Sequence, residues 1–212
     1  MAGKIIAAAQ QKGGAGKTTL AAHIAVAGAE MGWKVLALDI DPQGSLTAWG
    51  EIRAARAPAP ALQVDVEAIA GHRVRAAAER AAAAYDLIVI DAPPHAETET
   101  RQALRTADLT LAPIQPSPLD LWASRSVIEA VTGANGRMAL VMNKTPARAR
   151  LVDDIAAQAV ELGAPLLEAR LGARVAFADA MGEGLTALEL APRSRAAEEA
   201  RALAKEAFAL LV

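Results

Sequence analysis

A lysine- and glycine-rich segment close to the start of the chain limits the possible folds most strongly. Residues 12–19 read Lys-Gly-Gly-Ala-Gly-Lys-Thr-Thr and lie between an apolar run, residues 5–9, and a segment with helical spacing. A strand, a glycine-rich turn and a helix in this order form a loop whose backbone N–H groups and helix N-terminus face one phosphate. The usual spacing places a glycine at position 11, where this chain has Gln11. We therefore predict a variant phosphate-binding loop.

The side chains of this loop have predicted partners on a bound nucleotide. Lys17 is placed to reach the β- and γ-phosphates, and the Thr18 hydroxyl is placed to ligate Mg²⁺. Lys12 is a second lysine, for which a single bound nucleotide has no obvious use. The residues predicted to bind the nucleotide here are Gly13, Gly14, Ala15, Gly16, Lys17, Thr18 and Thr19.

Composition excludes several classes of protein. The 212 residues show no break in composition, which favours one domain over residues 1–212. The absence of cysteine excludes thiolate zinc sites, cysteine nucleophiles and cysteine-held iron–sulfur clusters. A net charge of −2 means that binding to nucleic acid or anionic lipid requires a local basic patch. The first apolar run is too short for a signal-peptide core or a membrane span, so we expect a cytoplasmic protein.

Apolar runs alternate with segments of helical spacing along the chain. Runs without polar alternation predict strands buried on both faces, and their alternation with helices predicts an α/β fold. We expect a mostly parallel, twisted sheet flanked by helices on both faces. Residues 49–56 are predicted to form a short polar helix and residues 57–61 a loop. The predicted strands are residues 5–9, 35–38, 87–90, 109–114, 138–142 and 165–167.

Acidic residues follow two of the predicted strands. Asp39 and Asp41 lie on the same side of an extended segment, where a carboxylate is suited to orient the attacking water or to hold Mg²⁺. Asp91 ends its strand as in a Walker B element, whose aspartate accepts hydrogen bonds from the water around Mg²⁺. The alternatives are a capped turn at residues 39–44 and a helix cap at Asp91. Because ligands of open α/β sheets bind beyond the carboxyl ends of the strands, these residues should meet the loop.

A further polar element follows the strand predicted at residues 138–142. Residues 143–146 read Asn-Lys-Thr-Pro and resemble the Asn-Lys-x-Asp element with which GTPases bind guanine. Pro146 replaces the aspartate and cannot accept the hydrogen bonds of guanine, so ATP is favoured over GTP. Asn143 is predicted to contact adenine, and a plain turn residue is the alternative.

These segments together resemble the ParA/MinD group of deviant Walker A ATPases, and among them the short, ParF-like ParA proteins. Four segments carry the resemblance in the same order, namely residues 11–19, 39–44, 86–94 and 113–120. The resemblance implies a single-domain P-loop NTPase that forms an ATP-bound sandwich dimer, with residues 116–118 near the dimer interface. It implies that Lys12 reaches the partner's nucleotide and that Asp41 positions the hydrolytic water. The catalytic residues are then Lys12, Lys17 and Asp41, and the predicted Mg²⁺ residues are Thr18, Asp39 and Asp91.

The resemblance also implies a cycle of binding to DNA. In this family an ATP dimer binds DNA without sequence preference, the monomer releases it, and a ParB-like or other cargo adaptor stimulates slow hydrolysis. We therefore expect a nucleoid-associated homodimer that moves a plasmid, a chromosome or a large protein assembly. Nonspecific DNA binding needs clustered basic side chains. The candidates are Arg148, Arg150, Arg170, Arg174, Arg193, Arg195 and Arg201.

Two other functions of the same fold are alternatives. A MinD-like switch at a membrane surface would end in a basic amphipathic helix, but the polar face of residues 198–212 mixes acidic and basic side chains. We expect this segment to pack against the domain, without stable membrane association. An ATP-dependent metabolic ligase would leave Lys12 without a role.

Overall fold

One six-stranded sheet organises the chain in the computed structural model, which describes residues 2–56, 59–94, 97–146 and 151–211. The strand order is β3-β2-β4-β1-β5-β6, and every neighbouring pair is parallel. All carboxyl ends therefore lie at one edge of the sheet. The strands are β1 (Lys4–Ala8), β2 (Val35–Asp39), β3 (Asp65–Ala68), β4 (Leu87–Asp91), β5 (Leu109–Ile114) and β6 (Met138–Met142).

Helices cover both faces of the sheet, because alternate residues of the strands point to opposite faces. Ile6 and Val89 enter a core with α1, α2, α7, α8 and α9, whereas Ile5 and Ile88 enter a second core with α3 to α6. The predicted α/β fold is thus confirmed. The helices are α1 (Lys17–Glu30), α2 (Ser45–Ala54), α3 (Val74–Ala81), α4 (Glu97–Thr106), α5 (Pro118–Thr132), α6 (Leu151–Glu161), α7 (Val175–Gly182), α8 (Ala187–Leu190) and α9 (Arg195–Ala209), and Gly71–Arg73 form a 3₁₀ turn.

The strand prediction was wrong at two places. Edge strand β3 was not predicted, because its sequence Asp-Val-Glu-Ala lacks an apolar run; it pairs only with β2 and is largely exposed. The strand predicted at residues 165–167 is instead a single parallel bridge between Leu140 and Leu166. The predicted helix at residues 49–56 starts earlier, at Ser45, and buries Trp49 and Arg53. Within the predicted loop at residues 57–61, the first two residues lie outside the described ones.

Helix α9 packs against the domain, as predicted for the C-terminal segment. Its apolar side contains Leu203, Ala207 and Phe208, which are buried. The Phe208 ring lies 4.7 Å from the ring of Trp33, which follows α1. Among the described helices, none is long and apolar enough to cross a bilayer.

Candidate nucleotide-binding site

The loop between β1 and α1 has the backbone shape of an anion-binding turn. Gly14 and Gly16 adopt φ angles of 72° and 96°, in the left-handed region that favours glycine. A Cβ at Gly16 would also meet the side-chain nitrogen of Asn143, so a larger residue there would displace that side chain. Helix α1 begins at the next residue, which places its positive end at the loop.

Lys17 places a buried cation directly behind the loop. Its side chain is 7% exposed, and no described residue forms a hydrogen bond or ion pair with its ammonium group. Burial lowers the pKa of Lys17, and the negative charges of Asp91 and Asp41 partly oppose this effect. A buried charge is costly unless it is paired. An anion bound in the loop would supply the missing partner, as predicted for phosphate.

Thr18 and Asp91 lie together, as their predicted role around Mg²⁺ requires. The Thr18 hydroxyl donates to Oδ2 of Asp91 over 2.6 Å. The Asp91 side chain is fully buried, and its Oδ1 has no hydrogen-bond partner among the described residues. Burial raises the pKa of Asp91 to about 7, although the hydrogen bond from Thr18 opposes the shift. A hydroxyl beside a buried carboxylate with an unpaired oxygen fits a Mg²⁺ ion that keeps several of its waters.

Asp39 and Asp41 are held differently, although both lie near Asp91. Asp39 is opposite Asp91 in the register of β2 and β4. Its carboxylate accepts hydrogen bonds from the backbone and hydroxyl of Thr47 and from the backbone of Asp41, so protein donors occupy it. Asp41 accepts through Oδ1 from the backbone of Gln43, while no described residue binds its Oδ2. These contacts favour a structural role for Asp39 and leave Asp41 available for a water, and the predicted metal role of Asp39 stays a prediction.

Asn143 and Lys144 support the phosphate-binding loop, a role that the sequence did not suggest. The Asn143 side chain donates to the Ala15 carbonyl over 2.7 Å and accepts from the Lys144 backbone over 2.9 Å. The Lys144 ammonium donates to the Gly14 carbonyl over 2.7 Å. Both carbonyls are thereby held by side-chain donors. Because both ends of the Asn143 side chain are engaged in this way, its contact with adenine stays a prediction.

A cleft of about 970 Å³ lies at the carboxyl edge of the sheet, and Lys17, Thr18, Asp41, Asn143 and Lys144 are among its lining residues. The loop, Asp41 and Asn143 form one part of its wall. Helices α2 and α7 form the other part, which is mainly apolar and includes Trp49 and Phe177. A polar end with a buried cation and an apolar end match the two parts of a nucleotide, the phosphates and the base.

Lys12 does not line this cleft. Its ammonium donates to Oδ2 of Asp120, in the first turn of α5, over 2.6 Å. Residues 116 and 117 immediately precede this turn, and Pro118 is the first residue of the helix. The structure therefore brings Lys17, Thr18, Asp41 and Asp91 together, whereas Lys12 is paired with Asp120 and does not line the cleft.

Most of the described candidates for DNA contacts are engaged with acidic side chains. Arg201 pairs with Glu30 over 2.7 Å, and Arg170 pairs with Asp153 over 3.5 Å. Both Arg174 and Arg195 pair with Glu199. Arg193 has no such partner among the described residues, and Arg148 and Arg150 lie outside them. The predicted DNA contacts therefore stay a prediction, and acidic neighbours weaken the attraction of four candidates for phosphate.

A buried histidine, His23 of α1, links this helix to α8 through hydrogen bonds. The His23 ring hydrogen-bonds to the Thr19 carbonyl over 2.7 Å through Nδ1, and the Ala187 backbone donates to Nε2 over 3.0 Å. These contacts require a neutral ring protonated at Nδ1. Complete burial lowers the pKa of His23 to about 4.

We expect His23 to make the fold sensitive to acid. Below pH 6.5 His23 becomes protonated in the unfolded chain, whereas in the folded protein its ring stays neutral until the pH is near 4. The contribution of His23 to stability therefore falls across this window as the pH falls. The loss is about 3 kcal/mol between the two limits. Urea unfolding from pH 7 to pH 4 should show this loss as a growing difference between the wild type and His23→Gln, because the raised pKa of Asp91 changes the stability of both proteins in the opposite direction. His72→Gln, at an exposed site, should follow the wild type; a His23→Gln profile parallel to that of the wild type would contradict the assignment.

Comparisons with known proteins agree with this geometry. The family model described as the CobQ/CobB/MinD/ParA nucleotide binding domain matches residues 6–187. The chain is 33% identical over 203 residues to maintenance of carboxysome distribution protein A of Halothiobacillus neapolitanus, covering 92% of this chain and 91% of that protein. It is 31% identical over 236 residues to the chromosome-partitioning ATPase Soj of Thermus thermophilus, covering 96% and 95%. The cell division ATPase MinD of Pyrococcus furiosus shares the fold, with a TM-score of 0.81, 24% identity and coverage of 98% and 99%.

Proposed function

Because the chain belongs to the CobQ/CobB/MinD/ParA nucleotide-binding family, we propose that it is an ATPase that dimerises on ATP and positions or partitions a cargo. Two relatives support the second half of this proposal by their names. One maintains the distribution of carboxysomes, and the other partitions chromosomes. The cargo class proposed here is therefore a plasmid, a chromosome or a large protein assembly.

One observation carries the nucleotide part of the proposal. Lys17 is buried and has no hydrogen-bond or ion-pair partner among the described residues; it lies in the first turn of α1, directly behind a loop in which Gly14 and Gly16 adopt left-handed angles. The Thr18 hydroxyl and the unpaired oxygen of Asp91 lie beside it. A helix N-terminus, a cation and a pair of Mg²⁺-type oxygen groups together fit a nucleoside triphosphate. Pro146, where GTPases use an aspartate, supports adenine as the base.

Hydrolysis is assigned to side chains of this site. Asp41 has one free carboxylate oxygen and is proposed to hold the attacking water. When bound, Mg²⁺ would neutralise charge between the β- and γ-phosphates, and Thr18 and Asp91 are the residues that would hold it. Lys12 is proposed to reach the phosphates of a second copy, where a positive charge stabilises the transition state as an arginine finger does. Hydrolysis then depends on the dimer.

The partners are proposed from the family. The ATP dimer is proposed to bind DNA without sequence preference in the cytoplasm, on the nucleoid, and a ParB-like or other adaptor is proposed to stimulate turnover. The described arginine candidates are mostly paired with acids, so DNA affinity should be moderate and should fall steeply with salt. Stable membrane association is not part of the proposal, since α9 packs its apolar side on the domain.

Asp41→Ala tests the proposed function. The variant should bind ATP and dimerise as the wild type does, because no hydrogen bond or ion pair joins Asp41 to the loop backbone or to Lys12 among the described residues. Hydrolysis should fall about 100-fold or more, since the water loses its acceptor. Calorimetry, light scattering and phosphate release measure the three properties. Asp179→Ala, at an exposed position of α7, is the matched control and should change none of them. Unchanged turnover in Asp41→Ala would remove Asp41 from the mechanism.

The ATP-bound dimer of Asp41→Ala, which should not hydrolyse its nucleotide, also distinguishes DNA binding from the membrane-surface switch and the metabolic ligase. With ATP it should sediment with plasmid DNA of arbitrary sequence and should not float with anionic vesicles. Binding to vesicles without binding to DNA would favour the membrane-surface switch. Monomeric protein whose ATP turnover requires a small second substrate would favour the ligase.

A further inference from the structure

Asp120 carries a charge in an unusual place. Its side chain is 1% exposed although it lies in the first turn of α5. Its Oδ2 accepts the hydrogen bond from Lys12, and its Oδ1 has no partner among the described residues. The positive end of α5 favours a carboxylate here, but burial of a charge remains costly without a counter-ion. Lys12 is therefore the cation that makes the burial of Asp120 tolerable.

Lys12 is bound on one side and open on the other. Its side chain is 41% exposed, although its ammonium is 2.6 Å from Asp120. The next two residues, Gly13 and Gly14, are exposed and carry no side chain that would block its path. Lys12 thus has an open path away from Asp120, and its departure leaves the buried carboxylate of Asp120 unpaired. A lysine that contacts the phosphates of a second copy has to give up this ion pair first.

We propose that Asp120 is a positioning residue that holds Lys12 on its own chain in the free monomer. This inference rests on the proposed function, in which Lys12 acts across a dimer. The ion pair then competes with dimerisation, because each contact of Lys12 with the partner's phosphates replaces one with Asp120. A triphosphate offers Lys12 more negative charge than a single carboxylate does. Asp120 therefore raises the concentration at which dimers form and makes them depend on the nucleotide.

Chemical labelling of Lys12 in nucleotide-free protein tests directly whether Asp120 holds the Lys12 ammonium group. Asp120→Asn keeps the shape of the side chain and removes its charge. Acetylation of Lys12 by an amine-reactive ester, followed by mass spectrometry, should become roughly three- to tenfold faster in this variant, because the amine no longer has to leave a carboxylate. Asp153→Asn removes the acid of an exposed ion pair on α6 and is the matched control. It should leave the labelling of Lys12 unchanged.

A measurement of dimerisation tests whether the ion pair between Lys12 and Asp120 competes with dimer formation. In sedimentation equilibrium with Mg²⁺ and a non-hydrolysable ATP analogue, Asp120→Asn should lower the dimer dissociation constant about tenfold. The affinity of the monomer for the analogue, measured by calorimetry at low protein concentration, should not change. A residue that only stabilised the fold would alter the melting temperature without producing this split. Asp120→Ala provides a second variant with the same expected direction if Asp120→Asn folds poorly.

The possible outcomes distinguish a failure of the role given to Asp120 from a failure of the proposed function. Unchanged labelling of Lys12, or a weaker dimer in both variants, would overturn the role given to Asp120. A wild-type protein that stays monomeric with the analogue would contradict the proposed function, while the labelling result would still decide whether Asp120 holds Lys12.

Discussion

Lys17→Ala is expected to abolish nucleotide binding, with the affinity for Mg-ATP falling about 100-fold or more. Lys17 is the buried cation at the end of the phosphate-binding loop, and no described residue forms a hydrogen bond or ion pair with it, although the negative charges of Asp91 and Asp41 raise its pKa. Truncating one member of a desolvated charge pair costs several kcal/mol, and about 1.4 kcal/mol corresponds to a tenfold loss of affinity. Calorimetric titration with a non-hydrolysable analogue measures the change. Lys205→Ala, at an exposed position of α9, should bind as the wild type does.

The stability of the nucleotide-free Lys17 variant provides an internal control. Burial lowers the pKa of Lys17, which means that the folded protein holds this charge at a cost. Removing it should therefore leave the melting temperature unchanged or raise it, although ligand binding is lost. Retained binding in a well-folded Lys17→Ala protein would show that the anion site lies elsewhere.

Lys12→Ala is expected to separate binding from dimerisation. The side chain lies outside the cleft of its own chain, so the affinity of one chain for ATP should change less than about threefold. The ATP dimer should be lost, and turnover should fall about 1,000-fold, the effect of withdrawing a cation of the arginine-finger type. Light scattering and phosphate release measure the two losses. Lys4→Ala, at the exposed start of β1, is the matched control.

Lys12→Ala also leaves the buried carboxylate of Asp120 without its counter-ion. We expect a lower melting temperature for this reason, by the equivalent of about 1–2 kcal/mol for a pair whose lysine is partly exposed. The double variant Lys12→Ala/Asp120→Asn carries no buried charge there and should regain stability without regaining the dimer. A Lys12→Ala protein that dimerises and hydrolyses normally would show that Lys12 serves only to neutralise Asp120.

Local sequence patterns predicted the buried strands of the fold and missed the exposed edge strand β3. Buried strands such as β4 are continuous apolar runs because both of their faces are covered, and this composition is visible in a short window. Edge strand β3 has one neighbour and an exposed surface, so its residues need not be apolar. Residues 65–68 form a strand because they pair with β2, and their own composition does not reveal this pairing.

The candidate site shows the same division. The glycines, Lys17 and Thr18 belong to one contiguous motif, and Asp91 ends a recognisable strand, so their convergence follows from the parallel sheet. The support of the loop by Asn143 joins residues 128 positions apart, and the pairing of Lys12 with Asp120 joins residues 108 apart. Such contacts depend on the packing of α5 and β6 beside the loop. No spacing rule in the sequence encodes them.

The mass of the nucleotide complex shows whether ATP drives dimerisation. With Mg²⁺ and a non-hydrolysable ATP analogue, sedimentation equilibrium should give twice the 21.9 kDa mass of the chain, and the nucleotide-free protein should give the single mass. A complex saturated with the analogue that keeps the single mass at millimolar protein concentration would contradict ATP-dependent dimerisation.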